Sequence, residues 1–190
     1  MTNGIKGDNK SMITDFTDQK EIQLIIFQLG KEEYAVPITN VQEIIMVRPA
    51  TKLPKTPSFV EGVINLRGRI IPVIDGRKKF SLDVKNNCNE NDSRIMVLDV
   101  EHEIIGLIVD AVSEVIHLKT EDIVPPPVDM EDDTDFLWGV GKLQDRLLIL
   151  INPQRFLSHS EVKDLKNLSK FAESLNQTQE IATVETAKAK

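Results

Sequence analysis

Residues 59–80 read FVEGVINLRGRIIPVIDGRKKF, two apolar runs held apart by Arg67, Gly68 and Arg69. Shifted by 77 positions, the stretch falls on residues 136–157, FLWGVGKLQDRLLILINPQRFL, and Phe59/Phe136, Gly62/Gly139, Val63/Val140, Leu66/Leu143, Arg69/Arg146 and Ile74/Ile151 coincide. A second match lies upstream. Residues 22–45, IQLIIFQLGKEEYAVPITNVQEII, align without gaps on residues 93–116, SRIMVLDVEHEIIGLIVDAVSEVI, at an offset of 71. Leu24/Ile95, Ile26/Val97, Phe27/Leu98, Val36/Leu107, Val41/Val112 and Ile44/Val115 pair apolar with apolar, and Glu43 falls on Glu114. The six-residue difference between the offsets is absorbed by the connection containing PPPVDMEDDTD, since loop closure depends only weakly on loop length. Two copies of one unit, residues 22–80 and 93–157, are therefore expected.

Each copy reads as short strands rich in Ile, Val and Leu, with LGKEEY and VEHEI as turns between paired strands. TNVQEII and DAVSEVI leave a helical reading open. Pro72 has no amide hydrogen for a ladder, which predicts an edge, a strand start or a bulge at that position. Five or so strands in fewer than about 75 residues suit a small closed barrel of SH3/OB type. The fold class is thus mainly β, with two small five-stranded β-barrels related by internal duplication across residues 21–158. Ser158 to Glu161 has capping-box spacing, and Val162, Leu165, Leu168, Ala172 and Leu175 predict an amphipathic helix over residues 159–175. Residues 1–20 and 176–190 are too polar to order themselves.

Composition narrows the chemistry. At 190 residues and 41% hydrophobic content the chain can bury a real core. No apolar run has membrane-spanning length and the polar N-terminus lacks a secretory signal, so a cytoplasmic location is expected. Cys88 has no second cysteine to pair with. His102, His117 and His159 show no metal-ligand spacing, and neither a P-loop nor a dinucleotide-binding glycine motif is present. Asp110 and Glu114 at i, i+4 suit a solvated face better than an acid/base pair. No enzyme activity, cofactor or metal is expected. The net charge of −7 is uneven: residues 48–80 hold eight Lys/Arg against two acids, +6, which leaves −13 for the rest. One basic surface on an acidic protein points to an acidic partner.

FVEGVINLRGRIIPVID, with EEYAVPITNVQEI before it and IIGLIVDAVSEV after it, resembles the CheW-like domain family of bacterial chemotaxis. The likeness covers about Ile22 to Leu157, and its signature is G-V-x-N-L-R-G-x-x-x-P-V-x-D at Gly62 to Asp75. The resemblance implies that the two barrels are intertwined. It also implies a non-catalytic adaptor that couples the cytoplasmic tips of methyl-accepting chemoreceptors to the regulatory domain of the chemotaxis histidine kinase. Such an adaptor would be recruited to membrane-associated receptor clusters without inserting into the membrane. The chain reads as a stand-alone coupling module, lacking a phosphotransfer bundle, an ATP-binding module and a receiver. One departure stands out: Gly76 falls where the family usually has leucine after the signature aspartate, which predicts looser local packing.

The resemblance assigns receptor contact to Val41, Glu43, Gly62 and Arg67. The turn itself adds Asn65, since NLRGR in copy one faces KLQDR in copy two while the flanking apolar positions persist. A planar guanidinium at Arg67 suits an acidic or carbonyl-rich partner surface, and bracing the junction between barrels is its other reading. Gly62 has a purely steric reading as well, through the missing Cβ. The runner-up function is an OB-type barrel that binds single-stranded nucleic acid through the basic 48–80 segment.

Overall fold

The computed structural model describes residues 20–82, 91–126 and 136–188, with side chains up to residue 174. Cys88, most of the N-terminal segment and the connection after Pro126 lie outside them. Strands β1 (Glu21–Leu29) and β2 (Glu32–Pro37) form a hairpin, followed by β3 (Val41–Met46). A second hairpin joins β4 (Val60–Leu66) to β5 (Arg69–Asp75), which runs into the short helix α1 (Gly76–Lys79). The second copy begins with β6 (Arg94–Val100), β7 (Glu103–Val109) and β8 (Ala111–Lys119). It continues through β9 (Ile123–Val124), β10 (Leu137–Leu143) and β11 (Arg146–Ile151) to helix α2 (His159–Lys188).

The duplication is present down to the register. Leu24 pairs with Pro37 in the first hairpin, and Ile95 pairs with Ile108 in its repeat, both shifted by 71. Val63 faces Pro72 and Val140 faces Ile149, both shifted by 77. Each of these hairpins carries a bulge at the same place, between Val60 and Gly62 and between Leu137 and Gly139. The two apolar patterns were alike because they encode one strand geometry twice.

Sequence copies and spatial units do not coincide. The five-stranded sheet has the order β3-β6-β7-β5-β4 and the six-stranded sheet β8-β1-β2-β11-β10-β9. After the turn at Ile38–Asn40, β3 leaves its own hairpin and pairs Val41 with Leu98 of the other copy. Its repeat, β8, does the reverse and pairs Val112 with Phe27. Each sheet therefore contains strands from both copies, which is the intertwining the family resemblance implies. The ladders are open in their pairing, yet each sheet curls around an interior. Ile45, Ile64, Leu66, Ile71, Val73, Ile95, Val97 and Ile108 meet inside the five-stranded unit, so its edge strands β3 and β4 share one cluster. Ile22, Leu24, Ile26, Leu118, Trp138, Leu148 and Leu150 fill the six-stranded one. A third cluster, including Ile25, Phe27, Tyr34, Met96, Leu98, Leu107, Ile151 and Phe156, lies between the units. Units this small are marginal alone, and the shared cluster buries the outer faces that a lone curled sheet would leave wet.

Three local expectations can be set against this arrangement. TNVQEII and DAVSEVI contribute strands, not helices, because each pairs with a hairpin of the opposite copy, and tertiary pairing outweighs local propensity. Pro72 sits inside β5, but both backbone groups of its partner Val63 bond to Thr51, at 2.8 and 3.0 Å. The ladder with β7 begins one residue later, at Val73, so no donor is missed. Gly76 tightens the packing it was expected to loosen: it is buried, and a Cβ there would stand 2.8 Å from the Ile108 carbonyl oxygen and 2.9 Å from Leu29 Cδ2. Asp75 caps the short helix by accepting from the Arg77 and Lys78 amides, at 2.9 and 3.2 Å.

Helix α2 starts with the expected capping box. The Glu161 carboxylate accepts from the Ser158 amide at 2.8 Å, and the Ser158 hydroxyl accepts from the Glu161 amide at 3.3 Å. Val162 and Leu165 join the central cluster, and Ala172 covers Val63 and Ile70 on the outer face of the five-stranded unit. The helical backbone runs on to Lys188, past Leu175, through residues 176–188 that composition marked as a disordered tail. Among the described residues no helix is long and apolar enough to cross a membrane.

Candidate functional site

The turn between β4 and β5 requires two consecutive left-handed residues. Arg67 has φ 52° and Gly68 φ 86°, the signature of a two-residue hairpin turn whose twist matches the strands it joins. Gly68 takes this conformation without steric cost, and the Asn65 side chain completes the turn by accepting from the Gly68 amide at 2.9 Å. Arg67 is thereby lifted off the sheet: its side chain is 81% exposed, and one Nη donates to the Glu43 carboxylate at 2.8 Å. Glu43 sits on β3 at the far edge of the sheet, 25% exposed, above the interior cluster to which Ile45 belongs. Arg48 reaches over from the end of β3 toward the Asn65 carbonyl, at 3.4 Å.

Of the five residues singled out from the sequence, Glu43, Asn65 and Arg67 meet at one end of the five-stranded unit. Val41 precedes a bulge on β3 and packs half-buried against the central cluster. Gly62 is buried at the β4 bulge with φ 144°, where a Cβ would fall 2.3 Å from the Thr51 carbonyl oxygen. It admits the Thr51 backbone against Val63, and the same device recurs at Gly139, whose Cβ would meet the Val124 carbonyl oxygen at 2.4 Å.

The equivalent end of the six-stranded unit is wired differently. Glu114, the repeat of Glu43, is held at 2.7 Å by Arg146, which also contacts Glu33 at 3.1 Å. The Glu114 hydrogen bond and the Glu33 charge push the Arg146 guanidinium above its ordinary value. Arg146 repeats Arg69 and not Arg67, whose place in the second turn belongs to Gln144. Asp110 and Glu114 are not a pair. Glu114 faces Arg146, whereas Asp110 is buried, accepts from Arg77 Nε at 2.8 to 2.9 Å and from the Gly30 amide at 2.6 Å. This buried contact ties the β1–β2 turn of one unit to α1 of the other. Sequence reading missed it because residues 30, 77 and 110 share no local pattern.

The basic segment is less free than its count of cations suggests. Arg67, Arg77, Lys78 and Lys79 are engaged by Glu43, Asp110, Glu61 and Glu161. Its two aromatic residues, Phe59 and Phe80, are half-buried, Phe59 beneath the Lys79 ammonium at 4.9 Å and Phe80 against Tyr34. No stacking platform for bases faces solvent there. Among the described residues no group of three His, Cys, Asp or Glu side chains could hold a metal ion.

Comparison with known proteins agrees with this architecture. The family model of the CheW-like domain matches residues 23–161. The chemotaxis protein CheW of Helicobacter pylori is 37% identical over 140 residues, 74% of this chain and 84% of the relative. That of Klebsiella aerogenes is 38% identical over 149 residues, 78% and 89% of the two chains. The crystal structure of the scaffolding protein TtCheW from Thermoanaerobacter tengcongensis aligns with a TM-score of 0.67 at 39% identity, covering 74% of this chain and 94% of that one. The paired repeats, the exchanged third strands and these matches have one conclusion: the chain belongs to the CheW-like domain family of chemotaxis scaffold proteins.

Proposed function

We propose that the protein is a non-catalytic coupling adaptor that links the cytoplasmic tips of methyl-accepting chemoreceptors to the regulatory domain of the chemotaxis histidine kinase. The family match across both units carries this reading. The end of the five-stranded unit, with Glu43, Asn65 and Arg67 presented on a rigid turn, is the receptor-facing surface. Val41 and Gly62 serve it from beneath, Val41 by seating β3 on the central cluster and Gly62 by fixing the bulge that aims the hairpin. The adaptor works in the cytoplasm and reaches the membrane only through its receptors. A fold with two quasi-equivalent units suits a linker, since it offers two separate ends on one rigid body.

The test is a pull-down of the purified protein against a receptor cytoplasmic hairpin fragment and against the kinase regulatory domain. Binding to both, with simultaneous capture in a three-component mixture, supports coupling. Binding to neither, or mutual exclusion of the two, refutes it.

A further inference from the structure

The two ends of the molecule are built from the same repeat but balance charge in opposite ways. At the six-stranded end one guanidinium, Arg146, serves two carboxylates, Glu33 and Glu114. At the five-stranded end the repeat of Arg146 is Arg69, and the repeat of Glu114 is Glu43. The position of Glu33 is taken by Ile104, whose side chain packs against the interior cluster. Glu43 is claimed by Arg67 from the turn. Arg69 is exposed, and none of the described carboxylates pairs with it. This end thus carries two guanidiniums, Arg67 and Arg69, to one carboxylate, with Arg48 reaching the Asn65 carbonyl.

We propose that Arg69, together with Arg67, forms a carboxylate-accepting site, filled by an acidic side chain of the protein partner in the way that Glu33 completes the equivalent clamp within the chain. The site rests on the coupling function proposed above, which supplies the partner. Register fixes the placement: Arg69 faces Leu66 across the hairpin, as Arg146 faces Leu143. The Arg146 clamp shows that a guanidinium at this position reaches both Glu114 on the edge strand β8 and Glu33 on the adjacent strand β2. A guanidinium presents a planar fork of donors that fits a carboxylate, and a contact shielded from water on docking is stronger than the same pair in solution. Arg67 stays on Glu43 and sets the orientation, while Arg69 supplies the open valence. Specificity follows from the asymmetry: the six-stranded end satisfies its arginine internally and offers an incoming acid a surplus of negative charge.

The experiment measures calorimetric binding of a chemoreceptor cytoplasmic hairpin fragment, and separately of the kinase regulatory domain, at low and at physiological salt. Wild type is compared with Arg69→Glu, Ile104→Glu and Ile104→Gln, each also followed by thermal melting. Arg69→Glu is expected to weaken binding by about tenfold or more and to flatten its salt dependence. Ile104→Glu rebuilds the internal clamp and is expected to weaken binding with Arg69 intact, whereas Ile104→Gln, matched in size but uncharged, retains it. Should both residue-104 variants melt early, Arg69→Glu decides alone. Binding of folded Arg69→Glu within twofold of wild type overturns the site, as does a loss of binding matched by an equal loss of melting stability. If only the kinase domain binds, with the same dependence on Arg69, the site stands and the receptor assignment falls. If neither fragment binds wild type, the coupling function and this site both fall.

Discussion

The Arg67 guanidinium meets the Glu43 carboxylate at 2.8 Å, joining the two edge strands of a sheet whose backbone ladder never closes. The two residues, both proposed receptor contacts, carry opposite charges that neutralise each other in this pair. An exposed pair of this kind contributes only about 0 to 1 kcal/mol. Arg67→Glu and Glu43→Lys should therefore leave thermal melting nearly unchanged while weakening receptor binding. Exchanging the two residues, with arginine at 43 and glutamate at 67, restores the pair but places an acid on the turn, so binding should stay lost. Recovery of binding in the exchanged protein would show that the pair acts only as a brace.

Gly62→Ala should be far more damaging than any change at Arg67. Its φ of 144° and the 2.3 Å approach of the Thr51 carbonyl leave no room for a methyl group, and the strain together with displacement of the bridge should cost about 2 to 4 kcal/mol. Gly139→Ala, its repeat, should cost a similar amount. Urea unfolding of both variants provides the measurement. A loss of receptor binding in Gly62→Ala without loss of stability would instead make residue 62 a direct contact.

Arg77 and Asp110 are 11% and 10% exposed and hold the two units together at the crossover. Truncating Arg77 to alanine leaves Asp110 buried with, among the described residues, only the Gly30 amide, a loss of about 3 to 5 kcal/mol. The double variant Arg77→Leu/Asp110→Asn should recover part of it, since the orphaned charge is removed. Equilibrium denaturation of the single and double variants tests this. Equal instability of both would mean that the loss comes from packing and not from the uncompensated charge.

Acid should loosen the start of α2. Burial by itself would push the Glu161 carboxyl up, but hydrogen bonds from Lys79 and from Ser158, with the Lys79 charge, hold it below the ordinary carboxylate value. A carboxyl depressed in the folded state contributes stability above its unfolded pKa, and that contribution is lost as pH falls through the folded value. Glu161→Gln should therefore be less stable than wild type at neutral pH, with the difference shrinking below about pH 4.5. Stability measured by urea melts from pH 7 to pH 3 would reveal it. A gap that widens toward low pH would contradict the sign.

Alternating apolar residues and the two constant offsets determined the strands and the hairpins, because strand register is a local property with a period of two that a gap-free repeat copies faithfully. Gly62 and Gly139 coincided in the repeat without being read as bulges, whereas Ser158 with Glu161 marked the start of α2. Only the tertiary structure decided where the third strand of each copy goes. Nothing in TNVQEII or DAVSEVI distinguishes pairing with its own hairpin from pairing with the other, since both copies offer the same register; the choice follows from burying the outer faces of both sheets in one central cluster. The candidate site divides along the same line. Asn65, Arg67 and Gly68 were legible because a turn is a local object. The role proposed for Arg69 was not, although Arg69 and Arg146 stood aligned in the repeat, because it depends on Glu33 and Ile104, residues that approach the hairpin only across the folded sheet.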